Sequence, residues 1–142
     1  MIEDNPTDAE LVLRAFKRAH LTNPIKIIGD GYEALDYLNR TGNYIGLKKS
    51  HPQLVLLDID LPGVSGIEIL GQIKSSKTLR RIPVVVLTAS KHDKNIIECG
   101  RLGADNYIIK PVNFENFSRI ASALDLQWTL VTGHPVSSIG IG

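Results

Sequence analysis

The sequence lacks the features that mark secreted, membrane-spanning or nucleic-acid-binding proteins. It contains one cysteine, Cys99, so no internal disulfide can form, which suits a reducing cytoplasm. No apolar run approaches the roughly 18 residues that a membrane span needs, and the first residues do not resemble a secretory signal. Sixteen Lys and Arg against fifteen Asp and Glu leave a net charge of +1. This balance gives no reason to expect nucleic acid or a membrane as partner.

What the sequence does contain indicates one cytoplasmic globular domain with buried strands. Its 142 residues are 43% hydrophobic and 22% charged, which is ordinary for a domain with a single core. Uninterrupted apolar runs at residues 53–58 and 82–88 are typical of strands covered on both faces, as in a parallel sheet. Residues 25–28 and 106–109 are shorter candidates of the same kind.

Helical patterns alternate with these strands. They cover residues 8–20, 31–40, 66–75, 91–102 and 114–130, and Asp8 is placed to cap the first of them. Strand–helix alternation at this spacing predicts a doubly wound α/β sheet with right-handed crossovers. In such sheets chemistry gathers at the carboxyl ends of the strands, so these ends are where a functional site is expected.

Polar residues stand at the predicted strand ends. The first strand would end at Glu3-Asp4, the third at Asp58, the fourth at Thr88 and the fifth at Lys110. Crowded carboxylates repel one another and need a cation, and Mg²⁺ suits carboxylate, phosphate and water ligands. This set fits phosphoryl transfer to a carboxylate, with Asp58 as nucleophile. The metal and Lys110 would neutralise the phosphoryl oxygens, and the Thr88 hydroxyl could donate a hydrogen bond to them.

Each of these residues also has an ordinary structural explanation. An aspartate after a strand is more often a turn former or helix cap. Thr88 could satisfy the backbone at a strand end, and Lys110 could be a solvated surface charge. The joint arrangement favours function, because four independent strand ends supply the required atom types.

The motifs together resemble those of response-regulator receiver domains, which act in two-component signalling. The resemblance runs from Glu3 to about Leu126 and rests on five segments in a fixed order. These are Glu3-Asp4-Asn5, residues 56–66 (LLDIDLPGVSG), residues 86–90 (VLTAS), residues 103–107 (GADNY) and Lys110-Pro111. The resemblance implies a flavodoxin-like fold, with a five-stranded parallel sheet in the order 2-1-3-4-5.

The resemblance also implies a role for each residue of the acidic site. Asp58 is similar to the phosphoacceptor, which receives its phosphoryl group from a sensor histidine kinase. Asp4 resembles a direct Mg²⁺ ligand, Glu3 a ligand acting through water, and the backbone carbonyl of Asp60 a further ligand. Lys110 resembles the lysine that contacts the phosphoryl group.

Three other residues resemble the conformational machinery of the family. The peptide bond before Pro111 is expected to be cis, and Thr88 and Tyr107 resemble the switch pair. Phosphorylation in the family draws the hydroxyl inward, and the aromatic ring follows it. The affinity of a protein-binding face then changes through a population shift.

The sequence departs from the family pattern in two places. Only Met1-Ile2 precede the acidic pair, whereas the family has several apolar residues there, so the chain is expected to begin further upstream. Asp60 carries a carboxylate where many relatives have a neutral residue. Its charge would affect the metal or the hydrolysis of the acyl phosphate, and Ser90 is a second position from which a side chain could reach an attacking water.

The expected domain organisation is a receiver domain at residues 1–130 followed by a tail at residues 131–142. Nothing long enough for a DNA-binding domain follows, so a stand-alone regulator acting through protein contacts is expected. The long connection at residues 41–52 and the Trp128 tail resemble the small regulators that serve phytochrome-like kinases. Several of those relatives dimerise through the last helix and tail, so a homodimer is expected here as well.

Two other functional classes fit part of the pattern. Asp58-Ile59-Asp60 also resembles the nucleophile motif of haloacid-dehalogenase-like phosphatases, although nothing resembles their cap domain. A degenerate receiver would be an unphosphorylated binding module, but Asp4, Thr88 and Lys110 are all present. The favoured interpretation is a phosphoacceptor signalling domain, which is no enzyme beyond assisting its own phosphorylation and dephosphorylation.

Overall fold

The computed structural model describes residues 1–89 and 94–124, and the backbone of two short strands further on. The elements in chain order are α1 (Pro6–Arg18), α2 (Gly31–Asn39), a 3-10 helix (Gly42–Tyr44), β1 (Val55–Asp58), α3 (Gly66–Ser75), β2 (Val84–Thr88), α4 (Lys94–Leu102), β3 (Asn106–Ile109), α5 (Phe114–Ala123), β4 (Trp128–Thr129) and β5 (Pro135–Val136). None of the described helices is long and apolar enough to cross a membrane. The predicted α/β class is confirmed.

The main sheet is parallel, with strand order β1-β2-β3. These strands correspond to the third, fourth and fifth predicted from the sequence. The first two predicted strands are reduced to single bridges, in which Ile2 pairs in parallel with both Ile28 and Leu57. Ile2 therefore lies between residue 28 and β1, but this sheet contains three strands among the described residues, and the five-stranded order remains a prediction.

Two hydrophobic clusters cover the two faces of this sheet, because strand side chains alternate between faces. Leu57 and Val86 pack with residues of α2, α3 and α4. Leu56 and Val85 pack with residues of α1 and α5. Asp58 has the same parity as Leu56, so its side chain leaves β1 on the face covered by α1 and α5.

A groove of about 610 Å³ lies at the amino end of the sheet, beside the bridge residues Ile2 and Ile28. Ile25 and Leu54 line its sides, and Met1 lies beside them. The backbone ladder next to it spans few residues: Ile2 N–H donates to Leu56 O, and the Ile28 N–H donates to Met1 O. The Met1 amino group donates a hydrogen bond to the Lys26 carbonyl oxygen, so the pairing of the predicted second strand is limited to a few bonds around Ile28.

The start of α1 differs from the prediction. The helix begins at Pro6, and its N-cap is Asn5, whose side chain accepts hydrogen bonds from the N–H groups of Thr7 and Asp8. Proline suits the first helical position, because its missing N–H would have no intrahelical acceptor. Asp8 therefore lies inside the first turn, and its predicted role as the cap is wrong.

The end of the last helix also differs. Residues 114–130 were predicted as one helix, but α5 ends at Ala123 and Leu124 is extended. Trp128 lies in β4, which pairs antiparallel with β5, so its predicted position in the last helix is wrong. Aromatic and β-branched residues such as Trp128 and Thr129 favour strands over helices, which accounts for the difference.

Candidate functional site

The carboxyl edge of the sheet gathers most of the predicted site residues. Asp58 ends β1 and is buried, Thr88 ends β2 and is buried, and Lys110 directly follows β3. Glu3 and Asp4 follow the bridge residue Ile2 and reach the same edge. The Lys110 Nζ lies 3.3 Å from Asp58 Oδ1 and 2.9 Å from Glu3 Oε1. The structure thus brings Glu3, Asp4, Asp58 and Lys110 together.

Glu3, Asp4 and Asp58 form an acidic group that suits a cation. One carboxylate oxygen of each lies within 4.8 Å of the others. Burial, together with a hydrogen bond with Asp58, raises the pKa of Glu3 from 4.5 to about 7, although Lys110 opposes the shift. Neighbouring carboxylates repel one another, and burial makes their ionised forms still less favourable unless a cation is bound. Carboxylate oxygens are ligands that suit a hard divalent ion. The residues present therefore fit a divalent metal.

The Lys110 ammonium group is held by three carboxylates. It contacts Glu3 and Asp58 and donates a hydrogen bond to Asp8 Oδ2 at 3.0 Å. Burial lowers the pKa of Lys110, but its contacts with Glu3 and Asp8 and the charge of Asp58 outweigh this effect and raise the pKa above its usual value. Lys110 is therefore a fixed positive charge beside Asp58 at any physiological pH.

The peptide bond between Lys110 and Pro111 is cis, as predicted. The side-chain amide of Asn116, in the first turn of α5, donates hydrogen bonds to the carbonyl oxygens of Ile109 and Pro111. Asn113 and Asn116 also cap α5 reciprocally through side-chain and backbone groups. The turn that carries Lys110 is thereby fixed to the start of α5.

Asp8 was not assigned to the site from the sequence, where only a capping role was predicted for it. It lies four residues after Asp4 in the first turn of α1, which places its carboxylate beside Lys110. The spacing of four residues is no signal for this contact, because Asp4 precedes the N-cap Asn5 and lies outside the helix. Placing the cap at Asp8 instead of Asn5 gave this carboxylate another role, and its contact with Lys110 was therefore missed.

The backbone around Asp58 is fixed by the start of α3. The Asp60 N–H donates to Asp58 Oδ1 at 3.0 Å, and a Cβ on Gly66 would lie 2.3 Å from the Asp58 carbonyl oxygen. Only a glycine permits this approach. The Asp60 side chain is exposed and, among the described residues, is outside the acidic group. Its predicted role as a ligand through its carbonyl oxygen stays a prediction.

Thr88 and Tyr107 lie on the same face of the sheet. Val86 pairs with Tyr107, and Thr88 follows Val86 by two residues, so the alternation of side chains puts both on the face covered by α3 and α4. Thr88 is fully buried, whereas Tyr107 is 43% exposed. Ser90, predicted to reach an attacking water, lies outside the described residues.

Comparison with known proteins identifies the family. The response regulator receiver domain family matches residues 1–122, which is most of the chain. The chain belongs to the response regulator receiver family. Members of this family are signalling domains in two-component systems, so the predicted family is confirmed and the haloacid-dehalogenase-like alternative is not favoured.

Individual receiver proteins resemble the chain over most of its length. The probable methanogenesis regulatory protein FilR2 of Methanothrix harundinacea is 42% identical over 128 residues, covering 90% of this chain and 81% of that protein. The bacteriophytochrome response regulator RtBRR is 39% identical, with a TM-score of 0.84 over 96% of this chain and 82% of that one.

A third similar receiver is the response regulator Rcp1 of Synechocystis. Its Mn²⁺-bound form is 32% identical, with a TM-score of 0.72 over 88% of each chain. A receiver of this family thus binds a divalent metal, which agrees with the acidic group formed here by Glu3, Asp4 and Asp58.

Proposed function

We propose that Asp58 accepts a phosphoryl group from a sensor histidine kinase in a Mg²⁺-dependent reaction. The observation that carries the proposal is the position of Asp58 between an acidic group and a lysine ammonium group. It belongs to the acidic group with Glu3 and Asp4, and Lys110 lies 3.3 Å from its Oδ1. A carboxylate beside a cation site and a fixed ammonium group is equipped to attack a phosphorus atom.

In the reaction, a carboxylate oxygen of Asp58 forms a bond to phosphorus as the phosphorus–nitrogen bond of the kinase phosphohistidine breaks. The product is an acyl phosphate on Asp58 and a free histidine on the kinase. Lys110 neutralises part of the charge on the transferred oxygens. Mg²⁺ held by Glu3, Asp4, Asp58 and the Asp60 carbonyl oxygen would supply the remaining positive charge.

Thr88 and Tyr107 transmit the effect of Asp58 phosphorylation to the protein surface. Thr88 is buried at the strand end next to β1, and its hydroxyl donates to the phosphoryl group once the group is attached. Tyr107 lies on the same face and is 43% exposed, and in the proposed switch its ring moves from this exposed position inward behind Thr88. The two conformations of Thr88 and Tyr107 would give the protein surface different affinities for a partner protein.

The partner and organisation follow from the similar proteins. Similarity to the bacteriophytochrome response regulator RtBRR supports a kinase of the phytochrome-like class, and the proposed location of the pair is the cytoplasm. The predicted receiver domain spans residues 1–130, and the predicted homodimer would form through the last helix and the tail at residues 131–142, most of which lies outside the described residues. The chain acts as a single-domain regulator through protein contacts, without nucleic acid or a membrane as partner. It assists its own phosphorylation and dephosphorylation and does not turn over a separate substrate.

The test is incubation with acetyl phosphate, with Mg²⁺ or with EDTA, followed by intact mass measurement. We expect one added phosphoryl group on the wild type with Mg²⁺, and none with EDTA. Asp58→Asn should remain unlabelled under all conditions. Equal labelling of the wild type and Asp58→Asn would contradict the proposal. Release of phosphate from small phosphate esters at enzyme rates would instead support a phosphatase.

A further inference from the structure

The Lys110 ammonium group lies among three carboxylates. Its Nζ lies 2.9 Å from Glu3 Oε1, 3.0 Å from Asp8 Oδ2 and 3.3 Å from Asp58 Oδ1. The contact with Asp8 has the geometry of a hydrogen bond, whereas Glu3 Oε1 has no hydrogen-bond partner among the described residues. The ion pairs with Glu3 and Asp58 can therefore loosen when Lys110 turns toward a phosphoryl oxygen, while the hydrogen bond to Asp8 remains.

The three carboxylates that contact Lys110 differ in their other roles. Glu3 and Asp58 belong to the acidic group with Asp4, and Asp58 is also the proposed acceptor. A cation bound there would draw on both of them. Asp8 stands outside that group, on the first turn of α1, where Asn5 caps the helix and fixes its start. Asp8 is the one Lys110 partner with no second task.

We propose that Asp8 is a positioning residue for phosphoryl transfer, holding the Lys110 ammonium group in place while Glu3 and Asp58 change partners. The inference rests on the proposed function of Asp58. A lysine stem has four rotatable carbons and loses much rotamer freedom when its end is fixed. Small misplacements of a charged group are costly in catalysis, so an anchor that does not change during the reaction is useful.

Two variants of Asp8 distinguish a positioning role of this residue from an effect of its negative charge on the labelling rate. Its negative charge by itself repels an anionic phosphodonor, so loss of charge alone should not slow the reaction. Asp8→Asn keeps an oxygen that can accept from Lys110, whereas Asp8→Ala keeps none. We expect Asp8→Ala to reduce the maximal labelling rate with acetyl phosphate about five-fold. Asp8→Asn should retain most of the rate.

Mg²⁺ titrations and a matched control separate this role from others. The Mg²⁺ concentration for half-maximal labelling should not change in Asp8→Ala, because Asp8 is outside the acidic group. Glu10→Ala removes a carboxylate of the same helix that pairs with exposed Arg14, and it should label like the wild type. Equal slowing of Asp8→Ala and Asp8→Asn, or no slowing of Asp8→Ala, would overturn the inference.

A second measurement does not depend on phosphorylation. NMR relaxation of the Lys110 side chain reports the mobility of its terminal carbon on the picosecond-to-nanosecond timescale. We expect this mobility to increase in Asp8→Ala and to stay near the wild-type value in Asp8→Asn. Unchanged mobility in Asp8→Ala would also contradict the anchor. If the wild type takes no phosphoryl group, the proposed function fails, and the mobility alone then decides whether Asp8 anchors Lys110.

Discussion

Charge balance at the site depends on a few ionisable side chains that lie close together. Glu3 is buried, and burial is the largest cause of its pKa rising to about 7. Lys110 reduces this shift without abolishing it, because Asp58 and Asp8 share the same ammonium group. Near neutral pH the metal-free site therefore takes up a proton on Glu3, and a divalent ion competes with that proton.

This competition predicts a pH-dependent stability that Glu3→Gln removes. The folded-state pKa lies above the ordinary value, so Glu3 stabilises the fold fully below about pH 4.5, and the contribution is lost as pH rises through about 7. Without metal, the unfolding free energy of the wild type relative to Glu3→Gln should fall by on the order of 2–3 kcal/mol between pH 4.5 and 8. Urea unfolding at several pH values in EDTA measures this difference.

Mg²⁺ and the chain terminus provide the controls. Mg²⁺ binds the ionised carboxylates, so adding it should abolish most of the decline of the wild type relative to Glu3→Gln. Burial lowers the pKa of the Met1 amino group from 8.0 to about 6, which makes stability rise between pH 6 and 8. That effect is common to both proteins and cancels in the difference. Parallel pH profiles of the two proteins in EDTA would contradict the assignment to Glu3.

The elements meet most closely where α3 begins behind β1. Gly66 is the first residue of α3, and its N–H donates to the Ile59 carbonyl oxygen. A Cβ there would lie 2.3 Å from the Asp58 carbonyl oxygen and 2.7 Å from the Ile59 Cα, both of which belong to the backbone. Gly71 lies in the same helix, and a Cβ on it would meet nothing within 4 Å. The two glycines therefore make a matched pair.

We expect Gly66→Ala to lower the unfolding free energy by about 3 kcal/mol, because α3 must move away from β1. The same movement displaces Asp58, so labelling by acetyl phosphate should slow as well. Gly71→Ala should leave labelling unchanged and increase stability by up to about 1 kcal/mol, since alanine favours a helix interior. Urea unfolding and labelling rates measure both effects. Similar stabilities for the two variants would show that α3 does not press on β1.

Strands that consist of a short apolar run could be predicted from the sequence. An apolar run predicted β3 at residues 106–109, and the structure has it there. The start of α1 was misplaced because two capping residues compete locally, and Asn5 with Pro6 outweighs Asp8. The end of α5 could not be located from its apolar stripe, since Trp128 continues that spacing but lies in β4. The contact between Asp8 and Lys110 joins residues 102 positions apart and depends on the fold.

At the scale of the whole molecule, the site and the groove lie at opposite ends of one short ladder. Ile2 N–H donates to Leu56 O, and the Asp58 N–H donates to Ile2 O at 3.0 Å. On the other side, the Glu3 N–H donates to Ile28 O. These few bonds set the direction in which Glu3 leaves the sheet. The same ladder stops at Met1, beside the groove of about 610 Å³.

The ladder has the register to continue beyond Met1. Parallel strands bond through alternate residues, so a residue joined to the Met1 amino group would face Leu54 and Leu56, and the next would face Lys26. The groove walls include the apolar side chains of Ile25 and Leu54. An extended apolar segment in this position would bury its side chains and replace the buried Met1 amino group by a neutral amide.

Adding five apolar β-branched residues before Met1 should therefore raise the unfolding free energy by on the order of 3 kcal/mol. An extension of equal length made of glycine and serine removes the same amino group but supplies no apolar side chains, so it should give little of this gain. Hydrogen exchange provides a local readout, because only the apolar extension should protect the amides of Lys26 and Leu56. Equal stability of the two extended proteins would mean that the groove does not accept a strand. Stronger Mg²⁺ binding by the apolar form is expected as well, since a longer ladder fixes Glu3 and Asp4 more firmly at the opposite end.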